Sequence, residues 1–210
     1  MTSSQTAPHD DLDRQLRRHT QRPFAKPIAT YNREAFKFVA GRLATVERPL
    51  IVDSGCGTGD SSRLLARRYP DHWIVGVDRS ADRLSRQRAE TPPNCLLVRA
   101  DLVDFWRLAH EHGWKPVHHY LLYPNPEPKP RHLKRRFHAH PVFPTVAALG
   151  GRIESRSNWR IYLEEFAQAL AFHGRASQIE SIPVNESSMT PFERKYRASG
   201  QPLWRLISID

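Results

Sequence analysis

Short runs of mainly apolar residues alternate along most of the chain with stretches in which apolar positions recur at helical spacing. The short runs predict strands at residues 49–53, 73–78, 95–98, 119–123, 152–155, 177–184 and 203–209. The helical spacing predicts helices at residues 31–43, 61–69, 81–89, 102–112 and 159–172. Strands that alternate with helices in this way form βαβ units and a parallel sheet covered on both faces. The pattern therefore predicts an α/β fold with a doubly wound, mostly parallel sheet of seven strands.

The first 22 residues lack this pattern. They are polar, mixed in charge and low in aromatic residues, which predicts a flexible basic arm. The basic residues of this arm are Arg14, Arg17, Arg18 and Arg22. They serve either as a solvated surface or as a contact with nucleic acid. Residues 23–210 are predicted to form a single domain, since roughly 100–200 residues per domain is usual.

Charge and cysteine content narrow the classes of function. The 210 residues include 32 Lys and Arg against 22 Asp and Glu, which gives a formal charge of +10. This excess favours a polyanionic partner, nucleic acid first and an anionic membrane surface second, although an ordinary protein of high pI is the alternative. Cys56 and Cys95 are too few for a disulfide scaffold or a cysteine-rich zinc site.

The distribution of apolar residues also argues against membrane insertion and secretion. No run approaches the ~20 apolar residues of a membrane span. The N-terminus lacks the apolar core of a secretory signal. We therefore expect a cytoplasmic protein without membrane contact, present as a monomer or a homodimer.

The first predicted strand runs into a glycine-rich loop. Asp53 precedes a Gly-x-Gly-x-Gly sequence that includes Gly55 and Gly57, and such a loop lets the backbone approach a ligand closely. Asp78 ends the second strand, where an adenosine-containing cofactor needs an acceptor for its ribose hydroxyls. Asp101 follows the third strand, where a carboxylate can accept a hydrogen bond from the amino group of adenine.

Two cofactors compete for this arrangement, a nicotinamide dinucleotide and S-adenosylmethionine. Dinucleotide sites space their glycines as Gly-x-Gly-x-x-Gly and leave helix N–H groups free for a pyrophosphate. Here Asp53 would lie beside that pyrophosphate, whereas a carboxylate suits the ammonium group of the methionine moiety. A glycine loop alone also fits a purely structural turn, but three acids at three strand ends favour S-adenosylmethionine.

A proline-rich loop follows the fourth predicted strand. Residues 123–130 contain four prolines, which stiffen the backbone. Because ligands of open α/β sheets bind at the carboxyl ends of the strands, we expect this loop to hold a planar base. A basic helix is predicted next, in which Arg131, Lys134, Arg135 and Arg136 are expected to bind RNA phosphates. A solvated charged face is the alternative.

Together these motifs resemble those of the bacterial tRNA (guanine-N7) methyltransferase family. Residues 53–59 match Asp-x-Gly-x-Gly-x-Gly, and the proline loop with its basic run is similar to Phe-Pro-Asp-Pro-Trp-x-Lys-x-Arg-His-x-Lys-Arg-Arg. Residues 157–162 resemble a Thr-Asp-Trp…Tyr element, and residues 190–193 a Thr-x-Tyr/Phe-Glu element. The likeness covers about residues 48–208. It implies a Rossmann-like class I fold and methyl transfer from S-adenosylmethionine to N7 of a guanosine in the variable loop of tRNA.

The resemblance also implies roles for individual residues. The implied cofactor contacts are Asp53, Gly55, Gly57, Asp78, Asp101 and Asn125. The implied substrate contacts are Lys129, Asn158, Thr190, Pro191, Phe192 and Glu193. Asn125 occupies the place of the family's loop acid, so the resemblance implies that Asn125 is the catalytic residue.

The chain departs from the family inside this pocket. Asn125 and Asn158 stand where the family has Asp, and Glu127 stands where it has Trp. Amides donate as well as accept hydrogen bonds, so the pocket is expected to read the N1–H and amino group of guanine less strongly. Glu193 is expected to accept both of those hydrogens. The departures imply a lower rate, a different substrate, or both.

The predicted chemistry needs few catalytic groups. Guanine N7 carries an in-plane lone pair and no proton, so orientation against the methyl group is expected to supply most of the catalysis. The scattered histidines indicate no metal site. Trp159, Phe192 and Trp204 are candidates for stacking on a splayed base, although packing in the core is the commoner role of large aromatics. Methylation of another base or of a small molecule, or non-catalytic binding of cofactor and RNA, are the alternatives.

Overall fold

The computed structural model describes residues 3–22, 24–86 and 89–209. Its strands are β1 (Leu50–Ser54), β2 (Trp73–Asp78), β3 (Cys95–Arg99), β4 (His118–Leu122), β5 (Arg152–Ser157), β6 (Ala176–Ser181) and β7 (Trp204–Ile209). Its α-helices are α1 (Leu12–Gln21), α2 (Thr30–Leu43), α3 (Asp60–Arg68), α4 (Ala81–Ser85), α5 (Leu102–Glu111), α6 (Phe143–Leu149), α7 (Arg160–Phe172) and α8 (Pro191–Ala198). Two 3-10 helices, Pro130–Arg135 and Phe137–Ala139, follow the proline loop.

All seven strands form one sheet in the order β3-β2-β1-β4-β5-β7-β6. The strands β1 to β5 are parallel, whereas β7 runs antiparallel to both β5 and β6. Every residue of β1 and β2 is buried, as expected of central parallel strands covered on both faces. The predicted α/β fold with a mostly parallel sheet of seven strands is confirmed.

The helices cover the two faces unequally. The larger core cluster packs α5, α6 and α7 against one face, and a smaller cluster lies under α3 on the other. Helix α3 approaches β2 so closely at Gly76 that a Cβ there would collide with Ser62 and Leu97. This close approach fixes the start of α3 beside the loop that follows β1. No helix in the described part of the chain is long and apolar enough to cross a membrane.

The expected flexible arm is wrong for residues 3–22. They contain helix α1, on which Leu12 and Leu16 are fully buried in the larger core cluster. Gln168 of α7 also donates a hydrogen bond to Asp13 of α1 at 2.8 Å. The apolar positions of α1 are few, so their spacing was hidden by the surrounding charges. The N-terminal segment therefore packs on the body of the protein.

The helix predictions differ from the structure at several other places. The helix predicted at residues 81–89 ends at Ser85, and residues 87 and 88 lie outside the described residues. Helices α6 and α8 were not predicted, because each has a proline in its first turn and such sequences look like loops. Proline is tolerated in the first turn, since its missing N–H has no partner there in any helix.

Candidate cofactor and substrate site

The carboxyl ends of β1 to β5 lie along one edge of the sheet, because these five strands are parallel. Asp53 and Asp78 lie at the ends of β1 and β2, and Asp101 follows β3. Asn125 lies in the loop after β4, and Asn158 directly follows β5. The fold therefore brings these five predicted positions to the same edge.

Asp53 joins β1 to the start of α3. Its side chain is buried, and Oδ2 accepts hydrogen bonds from the hydroxyls of Ser61 and Ser62 at 2.6 Å each. Its Oδ1 is buried with no partner among the described residues. Burial raises the pKa of Asp53, and the two serine bonds oppose that rise. The unpaired oxygen is an acceptor that the ammonium group of a methionine moiety would satisfy.

The loop after β1 depends on glycine for its conformation. Gly55 and Gly57 have φ values of +81° and +60°, which L side chains rarely adopt. A Cβ on Gly57 would meet no described atom within 4 Å, so a ligand has room beside this part of the loop. The Gly57 N–H donates to Oδ2 of Asp78 at 2.9 Å, which ties the loop to the end of β2.

Asp78 holds the turn after β2 and keeps capacity for a ligand. Its Oδ1 accepts from the Ser80 N–H at 2.8 Å and from Nη2 of Arg83 at 3.1 Å. The Arg83 side chain is 39% exposed, so it can move into solvent and free that oxygen for a ligand. A carboxylate has about four lone-pair sites, and the N–H groups of Gly57 and Ser80 use two of them. Once Arg83 has moved away, Asp78 can accept from a pair of ribose hydroxyls.

Asp101 caps helix α5, since its Oδ1 accepts from the Val103 N–H at 2.9 Å. The Asp101 N–H donates to Oδ1 of buried Asn32, whose amide in turn donates to Asp104 at 2.7 Å. Asn32 on α2 thus positions this acid, a role that no sequence signal revealed. The other oxygen of Asp101 accepts no hydrogen bond from the described residues. The acids at the ends of β1, β2 and β3 fit the ammonium, ribose and adenine groups of S-adenosylmethionine.

A buried hydrogen-bond chain supports the glycine loop from below. Trp106 on α5 donates from Nε1 to Oγ of Ser54 at 2.9 Å, and that hydroxyl lies 2.8 Å from Nε2 of His119. The Ser54 hydroxyl accepts from the indole N–H and keeps its own proton and a second lone pair for the contact with Nε2 of His119. Burial lowers the pKa of His119 to about 3, so the ring stays neutral.

The proline loop contains two strained residues. Tyr123 and Glu127 have φ values of 54° and 46°, uncommon for residues other than glycine and concentrated at functional sites. Between them, exposed Asn125 donates from Nδ2 to Oε1 of Glu127 at 3.0 Å. No hydrogen bond among the described residues joins Asn125 to the three acids, so its role in cofactor binding and catalysis stays a prediction. Two of the positions that depart from the family therefore contact each other.

The predicted basic helix after this loop is a 3-10 helix. Lys129, Arg131, Lys134 and Arg135 are exposed beside the loop. Arg135 also lies 3.8 Å from a carboxylate oxygen of Glu127. These four cations are accessible to a polyanion, and their contact with RNA stays a prediction.

The predicted contact of Arg136 with RNA is wrong, because its side chain is fully buried. Its Nη1 donates to both carboxylate oxygens of Glu165 at 2.6 Å. His138 lies on the same carboxylate, with Nε2 at 2.7 Å from Oε2. Burial alone would raise the pKa of Glu165, but the bonds from His138 and Arg136 lower it to about 2. Burial lowers the pKa of His138, so its neutral ring donates to Glu165.

The Thr-x-Phe-Glu element is the start of α8. Oγ1 of Thr190 accepts from the Glu193 N–H at 3.0 Å, and Oε2 of Glu193 accepts from the Met189 N–H at 3.2 Å. This is a variant of the capping box, a helix start that the Ser/Thr-x-x-Glu spacing also predicts. Oε1 of Glu193 accepts from Arg156 at 3.0 Å. The expected contacts of Glu193 with guanine are therefore wrong, because both oxygens are used inside the fold; Thr190 is likewise buried in the cap.

Arg156 is a buried cation that the sequence interpretation missed. It pairs with Glu154 at 2.7 Å, Glu186 at 2.9 Å and Glu193 at 3.0 Å. It also lines a polar cavity of about 670 Å³ on the sheet face beside α3. None of the predicted cofactor or substrate residues lines that cavity. Its sequence signal was the alternation of Arg, Glu and Ser along β5.

The remaining predicted substrate residues differ in accessibility. Asn158 is half-buried and donates from Nδ2 to Oε1 of Gln201 at 2.7 Å. Pro191 is half-buried, whereas Phe192 is 47% exposed at the first turn of α8. Of these, Phe192 presents the most open surface to a base.

The two candidate stacking tryptophans are covered by arginines. The guanidinium of Arg136 lies 4.9 Å from the ring centroid of Trp159. The guanidinium of Arg160 lies 4.8 Å from the ring centroid of Trp204. Both tryptophans also pack against the larger core cluster. The more common core role therefore describes them better than base stacking.

Residues 47–206 match a family model described as "Putative methyltransferase". A tRNA (guanine-N(7)-)-methyltransferase of Acinetobacter baylyi is 29% identical, covering 75% of this chain and 68% of the relative. An enzyme of the same name from Pediococcus pentosaceus is 25% identical, covering 82% of this chain and 87% of the relative.

A solved structure described as an antibiotic-related methyltransferase shares the fold. It superposes with a TM-score of 0.59 at 14% identity, covering 83% of this chain and 93% of that chain. The fold and the family model together confirm the predicted methyltransferase class with S-adenosylmethionine as its cofactor. Because the family model spans most of its length, this chain belongs to that methyltransferase family.

Proposed function

We propose that this protein transfers a methyl group from S-adenosylmethionine to N7 of a guanosine in tRNA, in the variable loop. The observation that carries the proposal is the carboxyl edge of the sheet. There, three acids matched to an adenosine cofactor stand beside a stiff loop bordered by exposed cations. Relatives named tRNA (guanine-N(7)-)-methyltransferases support the choice of substrate. A tRNA substrate is consistent with the expected cytoplasmic location.

The cofactor would be held by residues already fixed in the fold. When bound, S-adenosylmethionine supplies an electrophilic methyl group on a sulfonium. The free oxygen of Asp53 would accept from its ammonium group, and Asp78 from its ribose hydroxyls. Asp101 would accept from the adenine amino group. Gly55 and Gly57 keep the loop between these acids open.

The protein's remaining task is to orient the base. Guanine N7 needs no general base, and orientation alone supplies up to about 7–11 kcal/mol in well-aligned reactions. The proline loop offers a stiff backbone for this purpose, and exposed Phe192 offers a face for stacking. Asn125 and Asn158 would contact the base as amides. Since both Glu193 oxygens are used within the fold, base recognition depends on these amides and the loop backbone.

The four exposed cations near the loop would hold the tRNA backbone. Lys129, Arg131, Lys134 and Arg135 are accessible to phosphates. Each phosphate neutralised on a duplex or single strand lowers the logarithm of affinity by about 0.7–0.9 per logarithm of salt concentration. Binding of tRNA is therefore expected to depend steeply on salt.

A methylation assay with base mapping tests the proposal. The protein is incubated with labelled S-adenosylmethionine and bulk unmodified tRNA, and the tRNA is digested to nucleosides for mass spectrometry. We expect label in N7-methylguanosine. Asp53→Asn is expected to abolish both cofactor binding and labelling, whereas Asp71→Asn, an exposed Asp outside the site, leaves both unchanged.

A second candidate is a protein that binds cofactor and RNA without turnover. The contact between Asn125 and Glu127 favours it, because the two residues that replace the family's Asp and Trp hydrogen-bond to each other. Label in another base would redirect the proposal to that base. Tight binding of S-adenosylmethionine and tRNA with no label at all would overturn it in favour of the non-catalytic reading.

A further inference from the structure

The N-terminal segment, defined here as residues 3–9, lies against the proline loop. Ser3 donates from Oγ to the carbonyl oxygen of Pro128 at 2.7 Å. Gln5 donates from Nε2 to Oε1 of Glu165 at 2.6 Å, and the His9 N–H donates to the same oxygen at 3.0 Å. A segment distant in sequence thus reaches the backbone of the candidate active-site loop.

Arg136 connects this segment to the loop in a second way. Its Nη2 donates to Oε1 of Gln5 at 2.9 Å. Its Nη2 and Nε both donate to the carbonyl oxygen of Glu127, at 3.1 and 3.2 Å. Glu127 is one of the two strained residues of the loop. The guanidinium therefore holds the loop at a residue whose backbone conformation is unfavourable.

The same guanidinium reaches the end of β5. Its face lies over Trp159, which follows Asn158 in the second family element. All five N–H groups of Arg136 have acceptors: two on Glu165, two on Gln5 and Glu127 from Nη2, and one on Glu127 from Nε. The planar guanidinium thus joins the N-terminal segment, the proline loop and the residue after Asn158 around one buried carboxylate.

We propose that the N-terminal segment positions the proline loop for methyl transfer, with Gln5, Arg136 and Glu165 as positioning residues. The segment holds the loop directly through Ser3 and indirectly through Gln5, which orients both members of the buried ion pair. This inference rests on the proposed function in one respect, that the proline loop holds the base. The loop contacts themselves do not depend on it.

Gln5→Ala tests the proposal, with Gln168→Ala as its matched control. Both glutamines link the N-terminal region to α7, but Gln168 bonds Asp13 on α1 and makes no contact with the loop. For Gln5→Ala we expect kcat for tRNA methylation to fall at least tenfold, because a misplacement of about 1 Å costs on the order of a hundredfold. The Kd for S-adenosylmethionine and the Tm should match those of Gln168→Ala.

A second measurement does not require activity. Hydrogen exchange of peptides covering residues 121–136 is expected to quicken in Gln5→Ala and further in Ser3→Ala/Gln5→Ala, and to stay unchanged in Gln168→Ala. Glu165→Gln is less suitable as the main variant, because neutralising a buried partner of Arg136 threatens the fold itself. Gln5→Glu keeps the acceptor for Arg136 but sets a second carboxylate against Oε1 of Glu165, so it should not recover the lost kcat.

The outcomes separate this inference from the proposed function. If the unaltered protein makes N7-methylguanosine while Gln5→Ala keeps both full kcat and slow exchange, the positioning role is overturned and the function stands. If the unaltered protein makes no methylated base but exchange in the loop quickens, the segment holds the loop and the proposed function is overturned. Equal losses of kcat in Gln5→Ala and Gln168→Ala would contradict a specific role of the segment.

Discussion

Asn125 donates a hydrogen bond from its side-chain amide to the carboxylate of Glu127, with 3.0 Å between Nδ2 and Oε1. The Glu127 N–H also lies 3.4 Å from Oδ1 of Asn125. The family pattern has Asp and Trp at these positions, and here an amide and a carboxylate replace them as a matched pair. A reversal of one substitution therefore changes the environment of the other.

Asn125→Asp alone is expected to slow methylation rather than to restore the family's rate. The new carboxylate would face that of Glu127, and like charges in partly exposed pairs cost up to about 1 kcal/mol. Asn125→Asp/Glu127→Gln removes that repulsion and should react about fivefold faster than the single variant, which is the rate equivalent of about 1 kcal/mol. Single-turnover rates measure both. A single variant as fast as the double one would contradict the coupling.

Neutralising Lys134 and Arg135 is expected to weaken tRNA binding without affecting the fold. Both are exposed, so Lys134→Gln/Arg135→Gln should lower the slope of log affinity against log salt by about 1.4–1.8, at 0.7–0.9 for each phosphate contact. Filter binding over a salt series measures the slope. An unchanged slope would show that the tRNA backbone lies elsewhere.

Arg136→Gln is expected to lower stability without changing the salt dependence of tRNA binding. Removal of one partner of a buried ion pair destabilises a protein by about 3–5 kcal/mol, because the other charge stays buried without compensation. Glu165 would be that charge. Denaturant unfolding should show the loss, while folded Arg136→Gln should keep the salt slope of the unaltered protein. A reduced slope with normal stability would contradict the burial of this guanidinium.

Stability is expected to fall as the pH is lowered from 7 to 5, partly through His119. In the unfolded chain this ring binds a proton near its ordinary pKa of 6.5, but in the fold it stays neutral to about 3. The unfolded state therefore binds more protons below pH 6.5. At pH 5 the cost is about 2 kcal/mol, from 1.36 kcal/mol for each of 1.5 pH units.

Comparison with His119→Gln isolates this contribution. The glutamine keeps a hydrogen-bond partner for Ser54 but does not titrate in this range. Denaturant unfolding at both pH values should show a smaller loss on acidification for the variant, by about the same 2 kcal/mol. Equal losses for the two proteins would show that His119 is not the titrating group.

Variants of Thr190 and Phe192, both at the start of α8, are expected to distinguish a residue that stabilises the fold from one that binds substrate. Thr190→Ala removes the cap and should destabilise the protein by about 1 kcal/mol, whereas Thr190→Ser should recover most of that loss. Phe192→Ala removes an exposed ring and should leave stability nearly unchanged while weakening tRNA binding by about 1–3 kcal/mol if a base stacks on it. Unfolding and binding measurements on the three variants check both halves.

The sequence predicted the sheet well, because its signal is local. The buried strands show runs of apolar residues, and the acids at their ends follow directly in the chain, as at Asp53 and Asp78. The residues that the fold places beside them were not predictable in this way. Asn32 contacts Asp101 only because α2 packs near the end of β3, a long-range relationship without a sequence period.

Charged residues gave the least reliable predictions. Arg136 and Glu193 stand in motifs rich in exposed polar residues, and sequence position does not distinguish a buried charge from a solvated one. Each is buried because a partner far along the chain, Glu165 or Arg156, compensates its charge. The prolines at the starts of α6 and α8 were misleading for a different reason, since they mark helix starts as well as loops.

The 3-10 helix after the proline loop has about three residues per turn, so residues of the basic run that are three apart lie on the same face. Arg131 and Lys134 point outward, whereas Leu133 and Arg136, joined by an N–H to carbonyl bond of 3.0 Å, are both buried. Among related sequences, we expect the outward pair to vary freely, because neither side chain has a buried partner to match. We expect the inward pair to vary together with Glu165 and the N-terminal segment, because deletion of a single residue between Leu133 and Arg136 would turn the buried arginine toward solvent.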